Sequence, residues 1–497
     1  MPFDVHQILA PLDPVQSADT EAPAWLQESW TDPEGFVTAL ASASSSRGAL
    51  PLKSRPGQYY DLFHDLLVRH AGSEHVALRT YDRVNGWQAL GYRQLHEQAT
   101  RRAAQWARQG VKPGASLCLL LAPGPELLVS FMAALGLGAC VSFLPPQGQA
   151  FVSRRLAALA PQYIAAEPHH APLVQGFEKG LLRNQGEVAP LFTSHTYVPK
   201  EPLGRFFSPL AEPSHIPLPL AAADAWACAL RDGLLTWGLS PGDHLAVPGM
   251  SVPQHLPALL FATLLRGATF VHLDLGDLER DPSLLLKQPL HVLGVCPALR
   301  DLMLRSQPLN LGTLSHWFRN PEEPSAWDAW RRWVEHCGLG SVPTSNVLVD
   351  STAGGAVLSS PRHKGPPLST VFPAPGRRWV LRDLNLSGQP APGDVGLFTL
   401  LPDEGRPPGH AVLSRMQDCF RYAGPRDARR EGRVYPYAEV TAALGELPFV
   451  AGASVVALPS GGSLGHHLFL LLVFTGAESR DTTQSEAPSR RQQLRRR

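Results

Sequence analysis

With 497 residues and a formal net charge of +1, the chain has room for two or three domains, and its charge gives no electrostatic case for nucleic acid or an anionic membrane. Only six of its 44 basic residues are lysines, a bias that accompanies heavy Ala and Pro usage and reads as codon composition, not chemistry. The six cysteines (Cys118, Cys140, Cys228, Cys296, Cys337, Cys419) are scattered, mostly inside apolar runs, with no C-x-x-C pair; this predicts buried thiols in a reducing, cytoplasmic compartment rather than a disulfide framework.

The opening MPFDVHQILAPLD has an acid at position 4 and no basic segment ahead of an apolar one, so it does not read as a signal peptide. Residues 1–54 are rich in Pro, Ser, Ala and Asp and predict a loosely held leader with one short helix near Trp30. From Tyr59 the text becomes globular. YYDLFHDLLVRHAG has helical spacing, and VALRTYDRVNGWQAL reads as a hairpin turning at Asn85-Gly86. YRQLHEQATRRAAQWARQG then predicts a long amphipathic helix with Leu95, Ala99, Ala103 and Trp106 on one side.

The next stretch occurs twice. Gly110, Pro113, Gly114 and Leu117 lie 128 positions before Gly238, Pro241, Gly242 and Leu245, and Gly138-Ala139 lies 129 before Gly267-Ala268. Each copy (residues 110–143 and 238–272) opens on a Pro-Gly turn and a short apolar run suited to a buried strand. A second break follows, then an apolar segment of helical length, a closing Gly-Ala and another strand. That is a β-α-β unit, so two copies predict an α/β fold with two pseudo-symmetric parallel-sheet subdomains. Leu127 to Leu144 is uncharged, as a membrane span would be. Arg266 in the place of Leu137, and the breaks at Gly136 and Gly138, make it a core element instead.

Further on, Ser325 to Asp328 resembles a capping box opening a helix on which Trp327, Trp330 and Trp333 form a stripe, read as core. His169-His170, His336-Cys337 and His466-His467 are adjacent pairs without an accompanying ligand set, so no metal site is expected. AESRDTTQSEAPSRRQQLRRR, at residues 477–497, reads as a solvated basic tail.

The order of these elements resembles the adenylate-forming superfamily, which includes acyl- and aryl-CoA synthetases, luciferases and the adenylation domains of peptide synthetases. The hairpin, the Tyr-x-x-Leu helix and "G-x-x-P-G" with its strand resemble the family's beginning, and residues 234–273 its second subdomain. HVLGVCPALRDLML resembles its "V-P-x-L" strand–helix, and residues 365–400 its barrel-like third subdomain. FRYAGPRDARREGRVYPYAEVTAAL looks like the crossover into a small C-terminal domain. The resemblance implies a main body at 55–424 with a small β-rich part at 365–424, and a truncated α+β domain at 425–476.

The family activates a carboxylic acid with ATP and Mg²⁺ as an acyl-adenylate, and most members pass the acyl group to a thiol. Here that implies CoA or the phosphopantetheine of an acyl carrier protein as acceptor, or another biosynthetic partner. The phosphate loop, "T-S-G-T-T-G-x-P-K" in the family, corresponds to Thr193-Ser194-His195-Thr196-Tyr197-Val198-Pro199-Lys200, which is one residue short and lacks both glycines. Glycine lets such a backbone approach phosphate closely, whereas His195 and Tyr197 are expected to put side chains where phosphate would sit. Asp350-Ser351-Thr352 stands where the family has "Y-G-x-T-E", without its Glu, a Mg²⁺ ligand. Asp418 stands for the ribose-binding Asp, and Arg426 for the Arg of "G-R-x-D". The nucleotide-site candidates are therefore Thr193, Ser194, Thr196, Lys200, Asp350, Ser351, Thr352, Asp418 and Arg426; no catalytic residue is assigned. No lysine follows Lys364, so the family's catalytic Lys has no counterpart here. Two readings stay open: an acid–thiol ligase with a degraded nucleotide site, and an inactive pseudoenzyme that keeps the fold to bind an acyl ligand or a partner. Substrate-pocket residues are expected from 234–273 and 291–355.

Overall fold

The computed structural model describes residue 3, residues 22–44, 50–183, 193–207 and 216–321, and, with interruptions, 323–475; beyond residue 424 it covers four strands. Two helices begin the chain, α1 (Ala24–Thr31) and α2 (Pro33–Ala43). Asp32 caps α2 by accepting the Gly35 N–H at 3.0 Å, with Pro33 in the first turn, where its missing N–H costs nothing. The one short helix expected near Trp30 is α1, and over the described residues 22–44 a second helix follows it and both dock against the fold. Leu26, Phe36 and Leu40 are buried, Trp30 meets Trp379 edge-on at 5.5 Å, and the Gly376 N–H donates to Ser29 Oγ. Phe36 lies where a Cβ on Gly376 would come within 2.8 Å of its ring, so this docking depends on a glycine far along the chain that local composition does not reveal.

Asp61 caps α3 (Leu62–Leu66), and a hairpin of β1 (Val76–Asp82) and β2 (Gly86–Gly91) follows, turning at Asn85-Gly86. Asp82 Oδ1 accepts from both the Val84 and Asn85 N–H groups, and Gly86 has φ +70°, which pins the turn. On α4 (Tyr92–Arg108) the predicted inward face, Leu95, Ala99, Ala103 and Trp106, is buried.

The two repeats fold alike. The first is β3 (Ser116–Leu120), α5 (Pro125–Leu137) and β4 (Cys140–Phe143), followed by α6 (Gln149–Leu159) and β5 (Tyr163–Ala166). Strands β6 (Pro202–Phe206) and β7 (Leu218–Ala221) then lead into α7 (Ala222–Arg231). The second repeat is β8 (His244–Ala246), α8 (Val252–Leu265) and β9 (Thr269–His272). Gly138 (φ +73°) and Gly267 (φ +68°) close the two helices left-handed. Ala139 donates to Ala134 O and Ala268 to Thr263 O, both at 3.0 Å, the six-to-one bond of a Schellman turn. Gly114 donates to Gly138 O and Gly242 to Gly267 O, so the Pro-Gly turns are tied back to the same points. Each of these αL glycines faces a histidine ring, His195 against Gly138 and His70 against Gly267.

The remaining elements are β10 (Val292–Val295), α9 (Pro297–Arg305), β11 (His316–Arg319), α10 (Asp328–His336), β12 (Thr344–Asp350), β13 (Gly355–Ser359) and β14 (Phe372–Pro373). A five-stranded sheet has the order β5-β3-β4-β6-β7, parallel from β5 to β6. A nine-stranded sheet runs β14-β13-β12-β11-β10-β8-β9-β1-β2, parallel from β12 to β1 and antiparallel at both edges. The early hairpin thus joins the second repeat's sheet, through β1 and β9. Helices α5 and α8 are buried between the sheets, where Phe131 meets Phe261 edge-on at 5.2 Å. Arg266, in the place of Leu137, is also buried; burial lowers its pKa to about 10, and its Nε donates to Leu239 O. Among the described residues no helix is long and apolar enough to cross a membrane.

Trp330 and Trp333 pack with Trp317 in a second core. A four-stranded antiparallel sheet, β15 (Trp379–Arg382), β16 (Val395–Leu400), β17 (His410–Ser414) and β18 (Phe420–Gly424), is the expected small β-rich part. Beyond it, β19 (Arg429–Arg430) pairs with β20 (Arg433–Val434), and β21 (Val450–Leu458) with β22 (Leu468–Thr475). The predicted tail at 477–497 lies outside the described residues.

Candidate nucleotide site

The site is built from two loops that meet at the start of α7. The first is Thr193 to Lys200. Below it, α3 and its N-cap carry two carboxylates, Asp65 and Asp61, both fully buried. Asp65 accepts from the backbone N–H groups of Lys53 and Ser54, from Trp226 Nε1 at 3.0 Å and from His64 Nδ1. Burial alone would raise its pKa, but these donors outweigh burial and hold it below the usual carboxylate range. Asp61 accepts from Lys53 Nζ at 2.6 Å and from Ser194 Oγ at 3.3 Å, which fastens the loop to the helix below.

The rest of the loop is fastened as firmly. His195 donates its N–H to Gly136 O at 2.8 Å, and its ring lies over Gly138 with Nε2 2.8 Å from Glu201 Oε1. Tyr197 is buried; its N–H donates to Tyr60 O and its hydroxyl to Leu135 O at 3.1 Å. The Val198 N–H donates to Glu201 Oε2 at 3.0 Å. The expectation that His195 and Tyr197 block the phosphate position is therefore revised. Their side chains turn toward the C-terminal end of α5, and the loop's backbone donors are taken up by Gly136 O, Tyr60 O and Glu201. Thr193, Thr196 and Lys200 stay exposed.

The second loop is the turn after β12. Asp350 Oδ1 accepts from the Thr352 N–H at 2.9 Å and the Thr352 hydroxyl at 2.7 Å, a self-contained cap on a single 3₁₀ turn. Ser351 Oγ donates to Gln254 O at 2.6 Å, and Gln254 Nε2 returns a bond to Val349 O, so the turn is locked to the first turn of α8. All three predicted residues are buried. Close by, His255 is held neutral by burial, with Nε2 3.4 Å from Asn320 Oδ1.

Both loops border α7. Ala222 donates to Glu201 O and Ala223 to Pro199 O, while Gly354 (φ +84°) packs against Asp224 and Ala225. Behind them lies a buried ion pair. Asp232 accepts from Arg231 Nε and Nη2, from Thr236 Oγ1 and from the Ala356 N–H, while Arg231 also donates to Ala356 O and Pro375 O. Burial opposes the Arg231 charge, but Asp232 more than compensates, so the guanidinium stays ionised. Arg377 donates to Ala353 O at 2.7 Å, so charged side chains frame the second loop from behind. The structure thus brings Thr193–Lys200 and Asp350–Thr352 to one helix start. Asp418 and Arg426 lie outside the described residues. Asp61, Asp65, Glu201 and Gln254 escaped the sequence reading, because each sits outside the motif it supports. Only Glu201, adjacent to Lys200, was within reach of it.

Comparison with known proteins bears on the fold that carries these loops. The family model described as AMP-binding enzyme matches residues 68–168. Enterobactin synthase component E of Escherichia coli (strain K12) is 32% identical over 117 residues, covering 23% of this chain and 21% of that protein, so the match spans about a fifth of the relative's length. The acetoacetyl-CoA synthetase of Streptomyces lividans superposes with a TM-score of 0.74 at 15% identity, covering 97% of this chain and 85% of the other. ATP-bound MatB from Rhodopseudomonas palustris superposes with a TM-score of 0.66 at 16% identity, covering 86% and 90%. At such identities the superpositions speak to the fold.

Proposed function

We propose, for a chain that is a member of the adenylate-forming superfamily by fold and by its AMP-binding segment at residues 68–168, that it binds a carboxylic acid or an acyl-bearing thiol partner with its acyl-adenylate chemistry lost. The observation that carries this reading is the state of the Thr193–Lys200 loop. A phosphate cradle works through free backbone N–H groups, and three here, on His195, Tyr197 and Val198, already donate to protein acceptors. One of those acceptors is a carboxylate, Glu201, which would also repel a polyphosphate. Asp350 is likewise engaged by Thr352 and makes a poor substitute for the family's Mg²⁺-binding Glu. The donors and carboxylate present are therefore a poor fit for ATP and Mg²⁺.

The similarity to a component of enterobactin synthase supports a place in a biosynthetic system with a carrier-protein or CoA thiol as partner. Free cysteines at all six positions suit a cytoplasmic setting. Residues 55–424 are taken as the main body and 425–476 as the small domain. A second reading, an active acid–thiol ligase, is favoured by the exposure of Thr193, Thr196 and Lys200, which leaves one face of the loop available.

The deciding test is ATP–pyrophosphate exchange over a panel of fatty and aromatic acids, with Lys200→Ala alongside and Mg²⁺-dependent ATP binding measured without acid. No exchange and no tight ATP binding is expected. Losing one charge-stabilising donor typically costs about 10²–10³ in rate, so several losses together approach the whole effect. Exchange above background that Lys200→Ala abolishes would establish the ligase reading instead.

A further inference from the structure

In the sequence His169-His170 is an adjacent pair without a third ligand. The structure supplies one. Strand β5 ends at Ala166, and Glu167 then caps a 3₁₀ segment, Pro168–Val174, that carries both histidines. The backbone bond from the His170 N–H to Glu167 O, 2.9 Å, folds the segment so that the carboxylate reaches both rings. Glu167 Oε2 lies 3.4 Å from His169 Nε2 and 3.7 Å from His170 Nδ1, and the three donor atoms all fall within 4.8 Å of one another.

These distances are the wrong ones for hydrogen bonds and suit a shared cation. A charge-assisted N–H···O bond closes to about 2.7–2.9 Å. Two ligand atoms each about 2.0–2.1 Å from one ion, at a tetrahedral angle, stand about 3.3–3.4 Å apart. The carboxylate-to-His169 separation already has that value, and the His170 separation is slightly wider. His170 is the more revealing of the two. Its side chain is 16% exposed, and its Nδ1 is buried without a hydrogen-bond partner, although the Glu167 carboxylate lies on its side. A buried ring nitrogen left in that state is costly unless something else satisfies it. The His169 ring is 69% exposed and lies 3.9 Å, centroid to centroid, from that of His170, so it is free to swing the small distance that closes the set.

We propose that Glu167, His169 and His170 form a three-ligand site for a divalent transition metal, with zinc the best match and solvent completing a tetrahedron. One carboxylate with two imidazoles is a donor set zinc accepts, whereas Ca²⁺ and Mg²⁺ call for more oxygens. The site lies at the end of β5, the outer strand of the five-stranded sheet, and is independent of the reading given to the nucleotide site.

The test uses full-length, tag-free protein stripped with a chelator, and Zn²⁺ alone as titrant. Isothermal titration should give one equivalent bound in the wild type, and Co²⁺ in its place should produce the visible band of a tetrahedral site. Glu167→Gln and His170→Ala should each weaken Zn²⁺ at least tenfold and abolish the cobalt band, since even outer-shell changes cost about 10–100-fold. His336→Ala, at a different adjacent pair, should change neither. Glu167→Gln preserves size and lies at the surface, so it keeps the comparison valid if His170→Ala fails to fold. No zinc binding in the wild type, or Glu167→Gln binding as the wild type does, overturns the proposal.

Discussion

Asp232→Ala is the perturbation whose cost the structure sets most directly. The carboxylate accepts four hydrogen bonds, two from Arg231 and one each from Thr236 and the Ala356 backbone, with both ionic side chains about 2% exposed or less. Its removal leaves a guanidinium buried without its counter-charge and strands an N–H of β13. Breaking a buried pair from one side costs about 3–5 kcal/mol. Urea denaturation followed by tryptophan fluorescence should register that loss as a lower midpoint at unchanged slope. The double variant Arg231→Met with Asp232→Leu should recover much of it, because the isolated charge is gone. Asp232→Ala within about 1 kcal/mol of the wild type would mean that water reaches the pair and would refute the argument.

Two further expectations come from the histidines that cover the repeat glycines. Gly138→Ala places a Cβ within 2.4 Å of His195 Cγ at a backbone φ of +73°, whereas Gly114→Ala (φ +78°) meets open space. Both pay backbone strain of about 1 kcal/mol, but only Gly138→Ala should also dislodge His195 and speed proteolysis at Thr193–Lys200. His70 has its pKa pushed down to about 3, chiefly by burial and then by Arg69. The folded state therefore refuses a proton that the unfolded chain accepts below about 6.5, so stability is full above that pH and declines toward pH 3. By pH 5 this histidine alone removes about 2 kcal/mol, and His70→Gln should show a shallower fall in urea midpoint between pH 7 and pH 5.

The repeat was legible because turns and buried strands are local. Gly114, Gly138, Gly242 and Gly267 all have positive φ, and the Pro-Gly and Gly-Ala signals mark them. The loop motifs were found by position, but what the loops do was decided by distant partners. Glu201, Asp61, Gly136 and Tyr60 hold Thr193–Lys200, and Gln254 holds Ser351. No periodicity encodes those pairings. The docking of α1 and α2 is not legible for the same reason, because Ser29, Trp30 and Phe36 find Gly376 and Trp379 across the fold. The Glu167–His170 cluster was hidden by a subtler effect. An i, i+2, i+3 spacing looks unpromising on an α-helix or strand and becomes convergent only in the 3₁₀ turn that follows β5.

The pairing of β1 with β9 has a consequence for how the chain is made. Thr269 Oγ1 donates to Val76 O across 193 residues, and Leu78 aligns with Phe270 in the sheet. A ribosome adding about 5–20 residues per second needs about 10–40 s to cover that interval. The β1–β2 hairpin therefore emerges long before its parallel neighbour β9 exists, with one edge open. Meanwhile β3, β4 and β5 have each other and can close first. The sheet that the globular sequence begins is thus closed only after the five-stranded one, and its waiting strand is the one a nascent-chain chaperone would have reason to cover.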